Sequence, residues 1–146
     1  AEAEGMRVED GALDGVKGAS ILLVEDNLIN REVVLDLLVD VLLSVDVAED
    51  GLEAVEQCRK NHYNMVLMDI QMPKLDGRAA TRQIRALPNG RTVPIMAMTA
   101  DAFDEDRQLC MEAGMDDFMT KPLDPDELLG KLLHWLSASQ QSPNPN

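Results

Sequence analysis

Short apolar runs alternate with amphipathic segments along this chain, which predicts an α/β fold: a doubly wound parallel sheet with helices on both faces. Two observations carry the prediction. Runs such as Ile21-Leu22-Leu23-Val24 and Met65-Val66-Leu67-Met68 are apolar without alternation, as strands buried on both faces are. Each run is then followed by a stretch with helical spacing, and right-handed crossovers place such helices on the two sides of the sheet.

Taken in order, the first strand is Ile21 to Val24, ending in Glu25-Asp26. Asn27 is a good N-cap, and Ile29, Val33, Leu37 and Val41 recur at helical spacing behind it. Val45-Asp46-Val47-Ala48 alternates, as a strand near a sheet edge does. Asp50-Gly51 opens a second helix bearing Leu52, Val55 and Cys58. Met65 to Met68 is a buried strand ending in Asp69, and a loop with Pro73 and Asp76-Gly77 leads to a helix carrying Ala80, Ile84 and Leu87. Pro94 to Met98 is a strand ending in Thr99, and a fourth helix covers about Phe103 to Ala113. Phe118-Met119-Thr120 is a short strand before Lys121-Pro122, and a last helix from Asp124 carries Leu128, Leu129, Leu132, Leu133 and Leu136. Residues 1–19 read as a linker or appended remnant and 138–146 as a disordered tail, leaving one domain over 20–137.

Composition narrows the function classes. Among 146 residues, 27 Asp and Glu outweigh 13 Lys and Arg, for a formal charge of −14. Nucleic acid and anionic membrane both need clustered positive charge, so neither is expected as a direct partner. Hydrophobic residues at 45% exclude a disordered acidic chain, and aromatics at 3% require a core of aliphatic side chains and Met. Cys58 and Cys110 form no CxxC and fit small apolar helix positions in a reducing cytoplasm. The most apolar stretch, Val33 to Ala48, is interrupted by Asp36, Asp40, Ser44 and Asp46, which argues against a spanning helix, and no signal peptide is visible.

Ligands of open parallel sheets bind outside the carboxyl ends of the strands. There the sequence delivers Glu25, Asp26, Asp69, Thr99 and Lys121. Any one of these is ordinarily a cap, a turn former or a solvated charge. Together they are different: two carboxylates about 4 Å apart repel by roughly 4 kcal/mol at an effective dielectric near 20, so the group needs a compensating cation. Hard oxygen donors, sparse in number and without His or Cys, suit Mg2+ better than Ca2+ or zinc. A divalent ion beside Lys121 and Thr99 is also what phosphoryl chemistry wants, with Asp69 a possible nucleophile.

With those residues in place, the chain resembles the receiver domain of two-component response regulators, over about residues 20–137. The resembling segments are Ile21-Leu22-Leu23-Val24-Glu25-Asp26-Asn27, Leu67-Met68-Asp69-Ile70-Gln71-Met72-Pro73-Lys74-Leu75-Asp76-Gly77, Met98-Thr99-Ala100 and Phe118-Met119-Thr120-Lys121-Pro122. Glu-Asp-Asn together with Asp-Ile-Gln-Met-Pro looks especially like receivers attached to hybrid sensor histidine kinases. The resemblance implies a flavodoxin-like (βα)5 fold with a five-stranded parallel sheet of order 2-1-3-4-5. It implies that Asp69 accepts a phosphoryl group from a phosphohistidine on a kinase or phosphotransfer domain. Asp26, Asp69 and the backbone carbonyl of Gln71 would ligate Mg2+, with Glu25 acting through a metal-bound water. Lys121 and Thr99 would hold the phosphoryl group, Phe118 would turn inward as the switch, and the Lys121–Pro122 bond would be cis. Gln71 and Asp101 occupy the positions that tune phosphoryl lifetime. The output, or a dimer contact, would use the fourth helix, fifth strand and fifth helix. On this reading the chain is a cytoplasmic signalling module rather than a turnover enzyme, in a parent that a membrane could anchor.

Two departures are visible: no Gly stands between the first helix and second strand, and Leu75 replaces a common Met. Competing readings are a phosphorylation-independent interaction module and a Mg2+-dependent phosphohydrolase. The latter is weakened because Gln71 stands where an acid–base Asp would be expected. Arg78, Arg82 and Arg85 read as a solvated stripe, His62 and His134 as bystanders, and Trp135 with the surplus leucines of the last helix as core or partner contact.

Overall fold

The computed structural model describes residues 19–40, 44–70, 76–99, 104–120 and 123–141. Strands β1 (Ser20–Val24), β2 (Ser44–Ala48), β3 (Met65–Asp69), β4 (Ile95–Thr99) and β5 (Asp117–Thr120) alternate with helices α1 (Leu28–Asp40), α2 (Gly51–Lys60), α3 (Gly77–Arg85), α4 (Asp104–Ala113) and α5 (Pro125–Gln141). The sheet is parallel, in the order β2-β1-β3-β4-β5. This is the expected fold and the expected strand order.

Strands β1, β3 and β4 are apolar without alternation because both of their faces are covered. Successive side chains point to opposite faces. Leu22, Val24, Val66, Met68, Ile95 and Ala97 therefore meet α2, α3 and α4 through Val55, Cys58, Ile84 and Cys110. Ile21, Leu23, Met65, Leu67, Met96 and Met98 meet α1 and α5 through Val34, Leu38, Leu128 and Leu132. The inner-strand methionines are fully buried and fill a core that has few aromatics.

The caps follow the local sequence. Asn30 N–H donates to Asn27 Oδ1 at 3.0 Å, Glu53 N–H to Asp50 Oδ1 at 2.8 Å and Ala79 N–H to Asp76 Oδ1 at 2.9 Å, each fixing a helix start at the carboxyl end of a strand. At the end of α4, Gly114 takes φ 110°, and the N–H groups of Gly114 and Met115 return to the carbonyls of Met111 and Cys110.

Several expectations are corrected. The buried side of α1 is Val34 and Leu38, while Leu28, Ile29 and Val33 are exposed. The helix is apolar nearly all round, so periodicity alone selects no face. Leu52 on α2 is likewise exposed, its place in the core being taken by Ala54. Leu87 lies past α3, before a 3-10 turn at Pro88–Gly90 that the sequence did not signal. The last helix runs to Gln141, into the stretch read as tail, because Ser137-Ala138-Ser139-Gln140 contains no helix breaker.

Arg85 is the clearest correction. It is no part of a solvated stripe: its Nε donates to Gly114 O at 2.9 Å, Nη1 to Gly90 O and Val93 O at 2.9 and 2.6 Å, and Nη2 to Asp116 Oδ2 at 2.7 Å. Asp116 in turn accepts from Ile95 N–H at 2.9 Å. One guanidinium thus pins the approach to β4 and the turn before β5.

Candidate functional site

In the order 2-1-3-4-5 the chain leaves β1 toward one edge and, from β3 onward, runs toward the other, so the switch point lies between β1 and β3. Val24 of β1 is level with Met68 of β3, which puts the next residues, Glu25 and Asp69, side by side at the mouth of that crevice. Glu25 is buried and held by its own N–H to Ala48 O at 3.0 Å, while its carboxylate accepts Asn27 N–H at 3.2 Å. Asp69 is also buried, and Asp26 is exposed. Glu25, Asp26 and Asp69 each offer a carboxylate oxygen, and these oxygens all lie within 4.8 Å of one another. At that spacing each pair of charges repels by roughly 3.5 kcal/mol at an effective dielectric near 20.

The rest of the rim is built by the neighbouring strands. Asp69 is level with Met98 of β4, so Thr99, buried at the end of β4, stands one step beyond it. Asp69 owes its seat partly to Gly77. A Cβ on Gly77 would run into the carbonyl oxygen of Asp69 and lie 2.9 Å from Ile70 Cα. Gly77 N–H also donates to Ile70 O at 2.9 Å, so α3 starts directly against the peptide that carries the central carboxylate. Chemically, the site is a hard, oxygen-rich anionic pocket with a hydroxyl beside it. That donor set fits a magnesium-like cation and an incoming phosphoryl group.

Of the residues expected from sequence, Glu25, Asp26 and Asp69 are brought together and Thr99 lies at the adjoining strand end. Phe118 is apart from them, level with Ala97 on β5 and partly buried against the α2–α4 side of the core. Gln71, Asp101, Lys121 and Pro122 lie outside the described residues. Three contributors went unread in the sequence: Gly77, Arg107 and the Asp117 cluster. Arg107 Cζ sits 4.9 Å from the centre of the Phe118 ring. Asp117 accepts from Lys131 Nζ at 3.0 and 3.2 Å, from Trp135 Nε1 at 2.8 Å and from Phe118 N–H at 2.8 Å. Burial alone would push the Asp117 carboxyl up, but the bonds from Trp135, Lys131 and the Phe118 amide outweigh it and hold the carboxyl below its ordinary value. Trp135 is thereby accounted for within the domain. No sequence spacing announces the Arg107–Phe118, Asp117–Lys131 and Asp117–Trp135 pairs, since each joins separate elements.

The model of the response regulator receiver domain family matches residues 21–133. This chain belongs to that family. Its function is accordingly that of a receiver domain in two-component signalling. The receiver domain is 35% identical over 143 residues to the sensor protein GacS of Pseudomonas syringae pv. syringae, covering 96% of this chain and 16% of GacS. It thus spans only a small part of that curated relative. Among solved structures, the receiver domain of sensor histidine kinase PA1611 from Pseudomonas aeruginosa PAO1 is 44% identical with a TM-score of 0.78, over 82% of this chain and 98% of that one. In that structure a magnesium ion is coordinated in the active-site cleft. The Saccharomyces cerevisiae complex of the histidine phosphotransfer protein Ypd1 with the receiver domain of Ssk1 matches at 28% identity and TM-score 0.79, over 87% of this chain and 94% of the matched chain. No helix among the described residues is long and apolar enough to cross a membrane.

Proposed function

We propose that Asp69 is the phosphoryl acceptor of this receiver and that the neighbouring acids make it a Mg2+-dependent one. The observation that carries this reading is the convergence of Glu25, Asp26 and Asp69 within 4.8 Å at the switch point. Asp26, Asp69 and the Gln71 carbonyl ligate the ion, and Glu25 acts through a bound water. When bound, Mg2+ offsets the charge of the carboxylates and of the incoming phosphoryl oxygens.

In the transfer, an Asp69 carboxylate oxygen forms a bond to phosphorus as the phosphorus–nitrogen bond of a phosphohistidine breaks, and the departing imidazole takes up a proton. Lys121 and Thr99 bind phosphoryl oxygens. Phe118 moves toward Thr99, which carries the change to the face of α4, β5 and α5, the output or dimer surface. Gln71 and Asp101 set how long the acyl phosphate survives water. The donor is a histidine kinase or histidine phosphotransfer domain, a partner class supported by the Ypd1–Ssk1 complex. Its docking ground includes the exposed Leu28, Ile29 and Val33 of α1, the helix that begins just after Asp26. The parent is a hybrid sensor histidine kinase acting from the cytoplasm, with this domain over 20–137. This part of the parent has no turnover of its own beyond accepting and losing the phosphoryl group.

The test is incubation with a small acyl phosphate with and without Mg2+, read by intact mass. One phosphoryl group is gained only with Mg2+, and Asp69→Asn gains none. Labelling that survives in Asp69→Asn rules out this acceptor.

A further inference from the structure

Between α4 and α5 an open groove of about 370 Å³ runs along β5, and its lining includes Arg107, Met111, Phe118 and Lys131. Phe118 forms part of its wall. The ring is packed on one side against the core beneath α2–α4, and the Arg107 guanidinium from α4 lies over it at 4.9 Å from the centroid. Lys131, which also lines the groove, is engaged by both carboxylate oxygens of Asp117. Arg107 is exposed and sits on the first half of α4.

We infer that Arg107 is a latch on Phe118: it holds the ring at the groove wall and so favours the resting state of the receiver. This rests on the reading of Phe118 as the moving residue. A guanidinium over an aromatic face is attracted by the ring quadrupole. Were the ring to leave the wall for the space beside Thr99, its contact with the Arg107 guanidinium would be lost. The contact therefore belongs to one state only, which is what lets it bias an equilibrium between two. An exposed contact of this kind shifts such an equilibrium by about two- to fivefold. A donor that reacts only with the less populated state gains rate in proportion to that population.

The experiment compares the wild type, Arg107→Ala and Arg107→Lys, each also in a Phe118→Leu background, using a small acyl phosphate at saturating Mg2+. Arg107→Ala is expected to raise the initial phosphorylation rate about two- to fivefold, with Arg107→Lys in between. In the Phe118→Leu background the Arg107→Ala effect disappears. An unchanged or slower rate in Arg107→Ala, or an increase that persists without the Phe118 ring, overturns the latch. A second readout is independent of phosphorylation. The chain has two phenylalanines, Phe103 and Phe118, so 4-fluorophenylalanine labelling gives two 19F signals. Arg107→Ala is expected to move the Phe118 signal in the unphosphorylated protein, and an unmoved signal overturns the proposal even if Asp69 is not the acceptor.

Discussion

The two ends of the sheet obey opposite electrostatic rules. At the amino-terminal end of β4 and β5, one cation is fully spent: Arg85 donates to three backbone carbonyls and to Asp116. At the carboxyl-terminal end of β1 and β3, three anions are crowded within 4.8 Å. The first arrangement answers buried polar groups with partners and adds stability. The second concentrates like charge, which costs stability and creates affinity for a cation. One cluster is organised around a guanidinium shared among carbonyls and a carboxylate, the other around three carboxylates drawn together.

Breaking the pinned end is expected to have the largest effect. Arg85→Ala leaves Asp116 and three carbonyls with lost donors in a partly buried setting, and should cost about 3 kcal/mol of stability in urea unfolding. A loss under 1 kcal/mol would mean that water replaces the guanidinium freely. At the working end, Asp26→Asn should weaken Mg2+ binding about tenfold (~1.4 kcal/mol) in a titration, while its urea midpoint in the absence of metal does not fall, because an exposed like charge has been removed. A fall in that midpoint would make Asp26 structural, and the contrast between the two ends would fail.

The smallest effect is a pH slope at the start of β5. Asp117 is held below its ordinary value despite burial, so in the folded state it binds its proton less readily than in the unfolded chain. Its stabilising contribution is present above the unfolded carboxylate value near 3.9 and is lost as pH falls through the folded one. Urea midpoints measured from pH 5 downward should therefore decline less steeply in Asp117→Asn than in the wild type. Equal slopes would place the acid sensitivity elsewhere.

The sheet was legible because its central strands are buried on both faces, which leaves Leu22-Leu23 and Met96-Ala97-Met98 no polar residue to alternate with. The site was legible for a related reason: an acid directly after such a run must stand at the sheet's end, and two of these runs are neighbours. The face of α1 was not legible, since Leu28, Ile29, Val33, Val34, Leu37 and Leu38 encircle the helix and only packing against β1 and β3 chooses Val34 and Leu38. Arg85 was misread because three of its four acceptors are backbone carbonyls, those of Gly90, Val93 and Gly114, and a carbonyl carries no residue-type signal. Arg107 and Gly77 share that difficulty: what matters at each is what another element brings to it.

The bond from Trp135 to Asp117 has an optical consequence. The chain holds one tryptophan, and its indole N–H donates to a carboxylate on β5 while its ring stands edge-on to His134, with centroids 5.0 Å apart. All of the protein's indole emission therefore comes from the seam between α5 and β5, beside the groove that Phe118 lines. The receiver carries its own fluorophore between α5 and β5, with no label to attach.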